Sequence, residues 1–308
     1  MKLEAGLEQI TRDTASVVTV GVFDGVHVGH QAVLASLVNR AKRCGGISTL
    51  ITFDPHPRKV LHNENIQLLT TVEEKVGLLA SQGLERLVVM PFTRSLAALS
   101  PQDFVRKFLY DRIGLREIIV GYDHRFGKGR AGDVNLLRQM GCKYGFDVTT
   151  INARAVGQDI VSSNKIRMHL RTDGNVRQAQ AMLGRPYGLT GTVTRGEGRG
   201  HTLGYPTANL ALLDSRKLIP KRGVYAVQAH WDSCKRGGMM NIGTRPTVAS
   251  NGRTHLEVHL FDTDEVLYGL TLEVQFVTRI RDEIRFLSLG ALREQLSHDE
   301  AVCRSLVT

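Results

Sequence analysis

Residues 17–44 read VVTVGVFDGVHVGHQAVLASLVNRAKRC: a strand-like run, a glycine-spaced turn and a helix-like stretch. The run VVTVGVF is typical of a strand, and HQAVLASLVNRAKRC has the apolar spacing of an amphipathic helix. Between them lies the turn GVFDGVHVGH, with glycines at 21, 25 and 29 and histidines at 27 and 30. A strand that leads straight into a helix is the repeating unit of α/β proteins.

The same alternation continues through the first half of the chain. Further strand-like runs are ISTLITF, RLVVMPF, EIIVGY and FDVTTIN, and the helix-like stretches between them include TVEEKVGLLASQG and SPQDFVRKFLYDRI. The last of these begins at Ser100-Pro101, an N-cap residue followed by proline at the first helical position. We therefore predict a Rossmann-like α/β domain with a parallel sheet.

The pattern changes after Gly184. Short alternating runs now dominate, namely YGLTGTVTRG, GVYAVQAHW, MMNIGTRPTV, THLEVHLF and LTLEVQFVTRI, and a helix-like segment, SLGALREQLSHDEAVCRSL, closes the chain. This half predicts a small β-barrel or β-sandwich with a C-terminal helix. We place the domains at residues 1–184 and 185–308, joined by the helical segment NVRQAQAMLGRPYG, with no internal repeats.

Composition is that of a soluble globular chain. Of the 308 residues 42% are hydrophobic and 23% charged, and no apolar run approaches the roughly 20 residues of a membrane helix. The N-terminus lacks the apolar core of a secretory signal, so we expect a cytoplasmic protein that makes no membrane contact. Four widely separated cysteines predict reduced, structural thiols: Cys44, Cys142, Cys234 and Cys303.

The formal charge of +10 indicates an anionic partner. Nucleic acid, a membrane face and small phosphorylated ligands all satisfy charge alone. The basic residues are scattered in pairs such as Lys42-Arg43 and Lys221-Arg222, without a continuous run interleaved with aromatics. This favours phosphorylated small molecules over nucleic acid.

The turn GVFDGVHVGH places two imidazoles and unpaired backbone amides at a helix N-terminus. The helix dipole and free N–H groups there favour phosphate, which predicts a site for a triphosphate. The alternatives are that His27 and His30 ligate a metal, cap the helix or lie on the surface.

Three other segments of the first half carry polar groups after a strand or at a helix start. TFDPHPR (residues 52–58) displays Asp54, His56 and Arg58 on a proline-fixed loop, which suits a rigid turn better than a site. SSNKIR (residues 162–167) offers hydroxyls, an amide and an arginine that suit either phosphate or a plain N-cap.

The segment GKGRAG (residues 127–132) matches GxGxxG, but we reject a dinucleotide fold on this motif. That fingerprint needs its first glycine directly after a strand, and five residues, YDHRF, intervene here. The loop instead offers Arg125, Lys128 and Arg130 to an anion.

In the second half, GHTLGYPTANL (residues 200–210) combines a threonine and an asparagine two residues apart. On an extended segment Thr207 and Asn209 point the same way, so together they suit a hard ion such as the magnesium of a bound nucleotide. The alternative is a polar turn before a strand. Likewise, alternation in THLEVHLF makes Glu257, by itself, an exposed strand residue.

Taken in order, GVFDGVHVGH, TFDPHP, VGYDHRFGKGRAGD, SSNKIR, GHTLGYPTANL, GVYAV, NIGTRPTV and LEVHLF resemble the bacterial bifunctional riboflavin kinase/FAD synthetase family. The resemblance spans nearly the whole chain, and the ordered set is far more specific than any one motif. It implies an HxGH-type nucleotidyltransferase domain that joins FMN and ATP into FAD and pyrophosphate. It also implies a β-barrel kinase domain that phosphorylates riboflavin with ATP and Mg²⁺.

The resemblance also implies the roles of individual residues. Catalysis falls to His27 and His30 in the first domain and to Glu257, as the base on the ribityl hydroxyl, in the second. Implied ATP contacts are Gly21, Phe23, Asp24, Gly29, His30, Ser162, Ser163, Arg167, Gly198, Gly204, Thr207 and Asn209. Implied flavin contacts are Phe53, Pro55, Asp123 and Arg125, and Thr207 and Asn209 would hold Mg²⁺.

Two positions depart from the family pattern. His124 stands where VGxDF has phenylalanine, and Asn164 stands where SSTxIR has threonine. Both fall in the adenylyltransferase half, where they bear on flavin packing and rate. Two alternatives stay open: an HxGH transferase with a different acceptor, and a basic nucleic-acid-binding protein. The oligomeric state is not indicated by the sequence.

Overall fold

The computed structural model of the chain describes residues 1–195, 203–244, 254–263 and 265–307. The chain divides into two compact units, Met1–Ser163 and Asn164–Thr308. Each unit has its own sheet and its own core.

The first unit contains a six-stranded sheet in which every neighbouring pair of strands is parallel. Its strands are β1 (Lys2–Ala5), β2 (Ser16–Val20), β3 (Ile47–Asp54), β4 (Arg86–Pro91), β5 (Leu115–Gly121) and β6 (Asp147–Ile151). Their order across the sheet is β1-β4-β3-β2-β5-β6. This confirms the predicted parallel α/β architecture.

Helices connect these strands. They are α1 (Val28–Cys44), α2 (Pro57–His62), α3 (Val72–Ser81), α4 (Arg94–Ala97), α5 (Pro101–Asp103), which continues as a π-helix over Phe104–Ile113, and α6 (Val134–Tyr144). Helix α5 begins as predicted, because the Ser100 side chain accepts the backbone N–H of Asp103 and Pro101 occupies the first turn. Glycines end several helices; Gly45, after α1, has φ of 60°, a left-handed conformation that favours glycine.

Both faces of the parallel sheet are covered. On one face Val17, Leu50 and Leu87 pack against apolar residues of α1 and α3, including Leu34 and Leu79. The other face packs Val18, Val20 and Ile118, together with further strand residues, against the π-helix and α6. Strand residues therefore alternate between two apolar layers, which explains why these strands read as continuous apolar runs rather than alternating ones.

The strand order reverses between β2 and β5. The chain runs from β2 outward through β3 and β4, and then returns to the other side of β2 as β5. Such a switch point leaves a crevice at the carboxyl ends of the two strands, where α/β proteins bind ligands. The turn GVFDGVHVGH follows β2, and the loop beginning at Tyr122 follows β5. Two of the predicted motifs thus meet at this crevice.

Strand β1 was not predicted. It pairs with β4 at the edge of the sheet, and its Glu4 carboxylate accepts a 2.6 Å ion pair from Arg86. Both side chains are buried. The N-terminal sequence gave no strand signal because KLEA is short and half polar, so its pairing with distant residues decides its conformation. A small hairpin, β7 (Ala155–Val156) and β8 (Asp159–Ile160), completes this unit.

The second unit is built on a closed antiparallel barrel, which resolves the barrel-or-sandwich alternative. Its strands are β9 (Gly188–Thr194), β10 (Ala208–Leu212), β11 (Gly223–Trp231), β12 (Cys234–Thr244), β13 (Thr254–Leu260) and β14 (Thr271–Arg281). Their order is β10-β13-β12-β11-β14-β9, and β9 pairs with β10 to close the ring.

Helices flank the barrel at both ends of the unit's sequence. They are α7 (Ser163–Met168), a π-helical turn over His169–Asp173, α8 (Val176–Leu183) and the C-terminal helix α9 (Leu289–Arg304). Helix α8 packs against β14, and the backbone N–H of Lys221 donates to the carbonyl of Leu170 at 2.8 Å. The helical segment after Ser163 thus belongs by its contacts to the second unit, and the domain boundary at 184/185 stays a prediction.

All four cysteines are free thiols, in agreement with the sequence. Burial raises the pKa of the Cys303 thiol to about 12, which keeps it protonated within α9. Among the residues described, no helix has both the length and the apolar character needed to cross a membrane.

Candidate active sites

The first candidate site is the turn at the N-terminus of α1. His27 is the N-cap residue, and its Nδ1 accepts the backbone N–H of His30 at 3.3 Å. The two imidazole rings are stacked, with centroids 3.5 Å apart and planes at 16°. One histidine therefore caps the helix and packs on the other, so the capping and phosphate-binding interpretations of this motif are compatible.

The backbone of this turn is held in an unusual conformation. Phe23 and Val26 have φ values of 49° and 39°, in the left-handed region that non-glycine residues rarely adopt. Such strain is stored where the surroundings over-determine it, often at functional sites. The Phe23 ring lies 4.5 Å from that of His30, and a Cβ on Gly29 would come within 3.2 Å of the His27 ring. A larger residue at 29 would therefore require the His27 ring to shift.

The buried side chain of Asp24 stabilises the turn through hydrogen bonds. Its carboxylate is buried and accepts the backbone N–H groups of Leu69 and Thr70, as well as the Thr70 hydroxyl at 3.2 Å. The Ser163 hydroxyl donates to the Asp24 carbonyl at 2.9 Å. The Asp24 carboxylate thus has a structural role that the sequence did not indicate. The hydrogen bond from Ser163 places that residue against the turn.

Lys75 of α3 is a buried cation beneath the same turn, and the sequence motifs did not single it out. Its side chain is 5% exposed. The Nζ atom donates to the Val22 carbonyl at 2.8 Å and lies 3.4 Å from the Thr52 hydroxyl. The Thr52 hydroxyl also donates to the Val22 carbonyl, at 2.9 Å. A lysine inside an apolar helix pattern gives little sequence signal, because exposed helical lysines are common.

Burial sets the protonation state of His30. Loss of hydration, and then the electrostatic effects of His27 and Lys75, hold the pKa of His30 well below its usual value of 6.5. The His30 imidazole is therefore neutral at pH 7, and its buried Nδ1 has no hydrogen-bond partner among the described residues. Across the described ranges, no cluster of three His, Cys, Asp or Glu side chains is placed to hold a metal ion.

The four predicted flavin contacts lie on both sides of β2. Phe53 is in β3 and Pro55 follows it, whereas Asp123 and Arg125 are in the loop after β5. Since β3 and β5 flank β2 and all three are parallel, these residues share one edge of the sheet with the turn that begins α1. Phe53 packs edge-on to Phe92 at 5.4 Å. Arg125 donates to the Asp133 carboxylate at 3.3 Å.

A cavity of about 320 Å³ lies between this loop, β6 and the start of α6. Its lining includes Tyr122, His124, Arg125, Arg138 and Thr150. The His124 ring stacks on Phe126 at 5.8 Å, and burial lowers its pKa to about 4. His124 is thus neutral at pH 7 and occupies the place of the family's phenylalanine as a packed ring. The GKGRAG segment forms a 3-10 turn over Lys128–Arg130, unlike a dinucleotide-binding turn.

The SSNKIR segment crosses the division between the two units. Ser162 and Ser163 end the first unit, and Asn164 begins the second. Within α7, the Asn164 side-chain oxygen accepts a hydrogen bond from Arg167 Nη1 at 3.1 Å. The second departure from the family pattern therefore orients the arginine that the sequence assigned to ATP.

The second candidate site is a cavity of about 280 Å³ beside the barrel. Thr207 and Glu257 both line it, and Asn209 lies directly opposite Glu257 in the register of β10 and β13. In β13, Leu256, Val258 and Leu260 are buried, as the alternation predicted. Glu257 is half-buried on the cavity side, so it is not a fully exposed strand residue.

Two neighbours complete this corner of the cavity. His259 Nδ1 lies 2.7 Å from the carbonyl of Pro206, which fixes the start of the PTAN segment to β13. Asn241 of β12 lies opposite Glu257 on its other side and also lines the cavity. Glu257 thus stands between two asparagines, Asn209 and Asn241, contributed by separate strands. The sequence analysis missed Asn241, because strand register is not visible in a single sequence.

An ion pair between the barrel and α9 also lines the cavity. Arg281 Nε lies 3.0 and 2.9 Å from the two carboxylate oxygens of the fully buried Asp299, and Gln295 donates to the same carboxylate at 2.9 Å. Both partners line the cavity. Gly204 has φ of 80° before the PTAN segment. The remaining predicted contact, Gly198, lies outside the described residues.

Family models match both units. The model described as FAD synthetase covers residues 9–165, and the model described as riboflavin kinase covers residues 183–307.

Whole-chain similarities agree with the family models. The chain is 38% identical to the bifunctional riboflavin kinase/FMN adenylyltransferase of Escherichia coli (strain K12), over 99% of this chain and 97% of that protein. It is 37% identical to the protein of that name from Pseudomonas fluorescens, over 99% and 98%. A solved structure described as a macrolide-efflux protein from Streptococcus pneumoniae superposes with a TM-score of 0.90 at 30% identity, covering 98% of both chains.

Proposed function

Because the chain belongs to the bifunctional riboflavin kinase/FMN adenylyltransferase family, we propose that its two units carry out consecutive steps of flavin-nucleotide synthesis. The barrel unit phosphorylates riboflavin with ATP to give FMN and ADP. The α/β unit then joins FMN to the adenylyl group of a second ATP, giving FAD and pyrophosphate. The substrates and products of both reactions are small molecules, which agrees with the scattered distribution of basic residues along the chain.

Adenylyl transfer takes place at the turn that begins α1. An oxygen of the FMN phosphate attacks the α-phosphorus of ATP, and the bond to pyrophosphate breaks. No covalent intermediate with the enzyme is needed, so the task of the protein is to position the reactants and to stabilise developing charge. The stacked His27 and His30 rings and the free amides of α1 supply donors for the triphosphate. Ser162 and Ser163, which end the first unit, belong to the same ATP site.

The acceptor flavin binds at the adjacent sheet edge. Phe53 in β3 and Pro55 just after it, and Asp123 and Arg125 after β5, flank the turn from both sides. Aromatic and proline surfaces suit the flavin ring, whereas Arg125 brings a positive charge to an anionic ligand. The neutral His124 ring packs behind this loop against Phe126.

Riboflavin phosphorylation takes place in the cavity of the barrel unit. Glu257 accepts the proton of the ribityl hydroxyl as this oxygen attacks the γ-phosphorus of ATP, and ADP leaves. The hydroxyl of Thr207 and the side-chain oxygen of Asn209 are hard donors that fit Mg²⁺, and Asn209 lies opposite Glu257. When bound with ATP, Mg²⁺ neutralises phosphate charge during transfer. Gly204, just before the PTAN segment, also contacts the nucleotide, and Gly198 stays a predicted ATP contact.

The observation that carries this proposal is the coexistence, in one chain, of the stacked HxGH turn and the Thr207–Asn209–Glu257 cluster. An HxGH transferase with another acceptor leaves that cluster without a task. We further propose that the enzyme acts in the cytoplasm without nucleic acid.

The direct test is incubation of the full chain with riboflavin, ATP and Mg²⁺, with the flavins resolved by chromatography. We expect FMN to form first and FAD to follow. Reactions without ATP serve as controls, and supplied FMN isolates the second step. Absence of any FMN or FAD from folded protein would overturn the proposal. Salt-sensitive oligonucleotide binding without flavin binding would favour the nucleic-acid alternative instead.

A further inference from the structure

The proposed mechanism gives no role to one buried charged group of the first site, the ammonium of Lys75. Removing a lysine from water is costly unless its charge and its donors are matched. Here the Nζ atom has one good acceptor, the Val22 carbonyl at 2.8 Å, and a longer contact to Thr52. An apolar side chain would occupy the same space without this cost. The buried lysine therefore calls for a function that depends on its charge or its donors.

We propose that Lys75 is a positioning residue for adenylyl transfer, which holds the turn before α1 through the Val22 carbonyl and so orients the paired histidines. This inference rests on the proposed function of the first unit. Lys75 itself is too deeply buried to touch the substrates, so it acts through its neighbours.

Lys75 affects the two histidines through the backbone of the turn. Two donors, the Lys75 ammonium and the Thr52 hydroxyl, converge on the Val22 carbonyl just after β2. Fixing this carbonyl fixes the peptide that leads into Phe23, whose φ of 49° is unfavourable for a phenylalanine. The Phe23 ring then packs on His30, and His30 stacks on His27. Lys75 thereby supports the orientation of both imidazoles from beneath.

The electrostatic step concerns the same imidazole pair. Besides burial, two neighbours, His27 of the turn and Lys75 of α3, lower the pKa of His30. Burial lowers the pKa of Lys75, and two carboxylates, Asp24 of the turn and Asp54 at the end of β3, partly oppose this shift. A positively charged Lys75 adds to the effect of burial in disfavouring the imidazolium form of His30.

The test compares Lys75→Met with two matched variants in the full chain. Lys42→Met removes an exposed lysine of α1 and serves as the control. Thr52→Val removes the second donor to the Val22 carbonyl but leaves the charge in place. For each variant, kcat and KM for FAD formation from supplied FMN are measured across pH, and the His30 ring is titrated by NMR. FMN formation by the barrel unit reports on the integrity of the protein.

We expect Lys75→Met to lower kcat for FAD formation by roughly 10–100-fold, with FMN formation unchanged. Loss of a neighbouring positive charge favours the imidazolium, so the His30 titration and the acid limb of the rate profile should move to higher pH. Thr52→Val should slow FAD formation less and leave the titration in place.

Two results would overturn the proposal: FAD formation by Lys75→Met within two-fold of Lys42→Met, or a loss of rate with an unmoved His30 titration, which indicates a structural role only. If the first unit of the Lys75→Met variant does not fold, the Lys75→Arg variant provides the test of the proposal. It keeps the charge but changes the donor geometry, so a slowed rate with an unshifted titration supports the proposal and a wild-type rate contradicts it. Failure of the wild-type chain to make FAD would instead refute the proposed function.

Discussion

Asn209 and Glu257 lie directly opposite each other on adjacent antiparallel strands, although 48 residues of sequence separate them. Directly opposed residues of such strands have Cβ atoms about 4.5–5.5 Å apart and point to the same side. In the proposed mechanism, the amide of Asn209 binds the metal and the carboxylate of Glu257 acts as the base, and this pairing holds both within reach of one phosphoryl group. Their different chemistry means that substitutions at the two positions should fail in different ways.

Glu257→Gln keeps the shape of the side chain and removes the base. Riboflavin and ATP should still bind, whereas turnover in FMN formation should fall by roughly 10²–10⁴. Steady-state kinetics with riboflavin measures this loss, and Glu273→Gln, an exposed position on β14, is the control. FAD formation from supplied FMN should be unaffected. Phosphorylation of riboflavin at the parental rate would return Glu257 to the status of an ordinary strand residue.

Asn209→Ala should weaken the binding of the metal–nucleotide complex. The ATP and Mg²⁺ concentrations needed for half-maximal FMN formation should rise, and turnover should slow because charge neutralisation also assists the transfer. Titration of the initial rate against Mg²⁺ at fixed ATP measures the effect. Unchanged Mg²⁺ dependence would exclude Asn209 from the metal site.

His30→Ala should remove most FAD formation and spare FMN formation, because His30 belongs to the turn of the first unit. Loss of one donor that stabilises developing charge costs about 10²–10³ in rate. The matched control is His62→Ala, at the exposed end of α2. If a folded His30→Ala protein lost both activities equally, the two reactions would have to share a site.

A fragment covering residues 185–308 should form FMN and no FAD. The structure adds a second fragment, residues 164–308, which retains the helices that pack with the barrel unit. We expect the longer fragment to unfold at higher temperature, because burial of apolar residues such as Met182 and Leu183 is kept. Thermal unfolding and a riboflavin kinase assay compare the two. A folded but inert longer fragment would contradict the two-site arrangement.

His124→Phe should make the first unit more resistant to acid. The pKa of His124 is about 4 in the folded protein and about 6.5 when unfolded, so below pH 6.5 the unfolded state binds the proton more readily. Folding stability is therefore lost as the pH falls from about 6.5 to 4, by up to roughly 3 kcal/mol for this group.

Phenylalanine carries no such proton, so the stability difference between His124→Phe and wild type should grow as the pH falls through this range. Unfolding followed at a series of pH values measures the effect, and His62→Phe is the exposed control. A difference that stays constant from pH 7 to pH 4 would show that His124 does not titrate in this way.

The features that the sequence predicted correctly are those that depend on residues close together in the chain. The turn after β2, the N-cap at Ser100 and the alternation of Leu256, Val258 and Leu260 all depend on neighbours within a few residues, and the structure agrees with each. The barrel-or-sandwich choice was left open, because alternation shows that a strand has two faces and not how its edges pair.

What the sequence by itself determined, then, is the alternation of strands and helices in the first half from β2 onward, the change to short strands in the second half, and the motifs proposed to carry the chemistry. Only the tertiary structure decided that the Asp24 carboxylate binds Leu69 and Thr70, that Lys75 lies beneath Val22, and that Asn241 flanks Glu257. Helical period and strand alternation are properties of adjacent residues, whereas these contacts join residues 16 to 53 positions apart, whose proximity is set by packing and strand register.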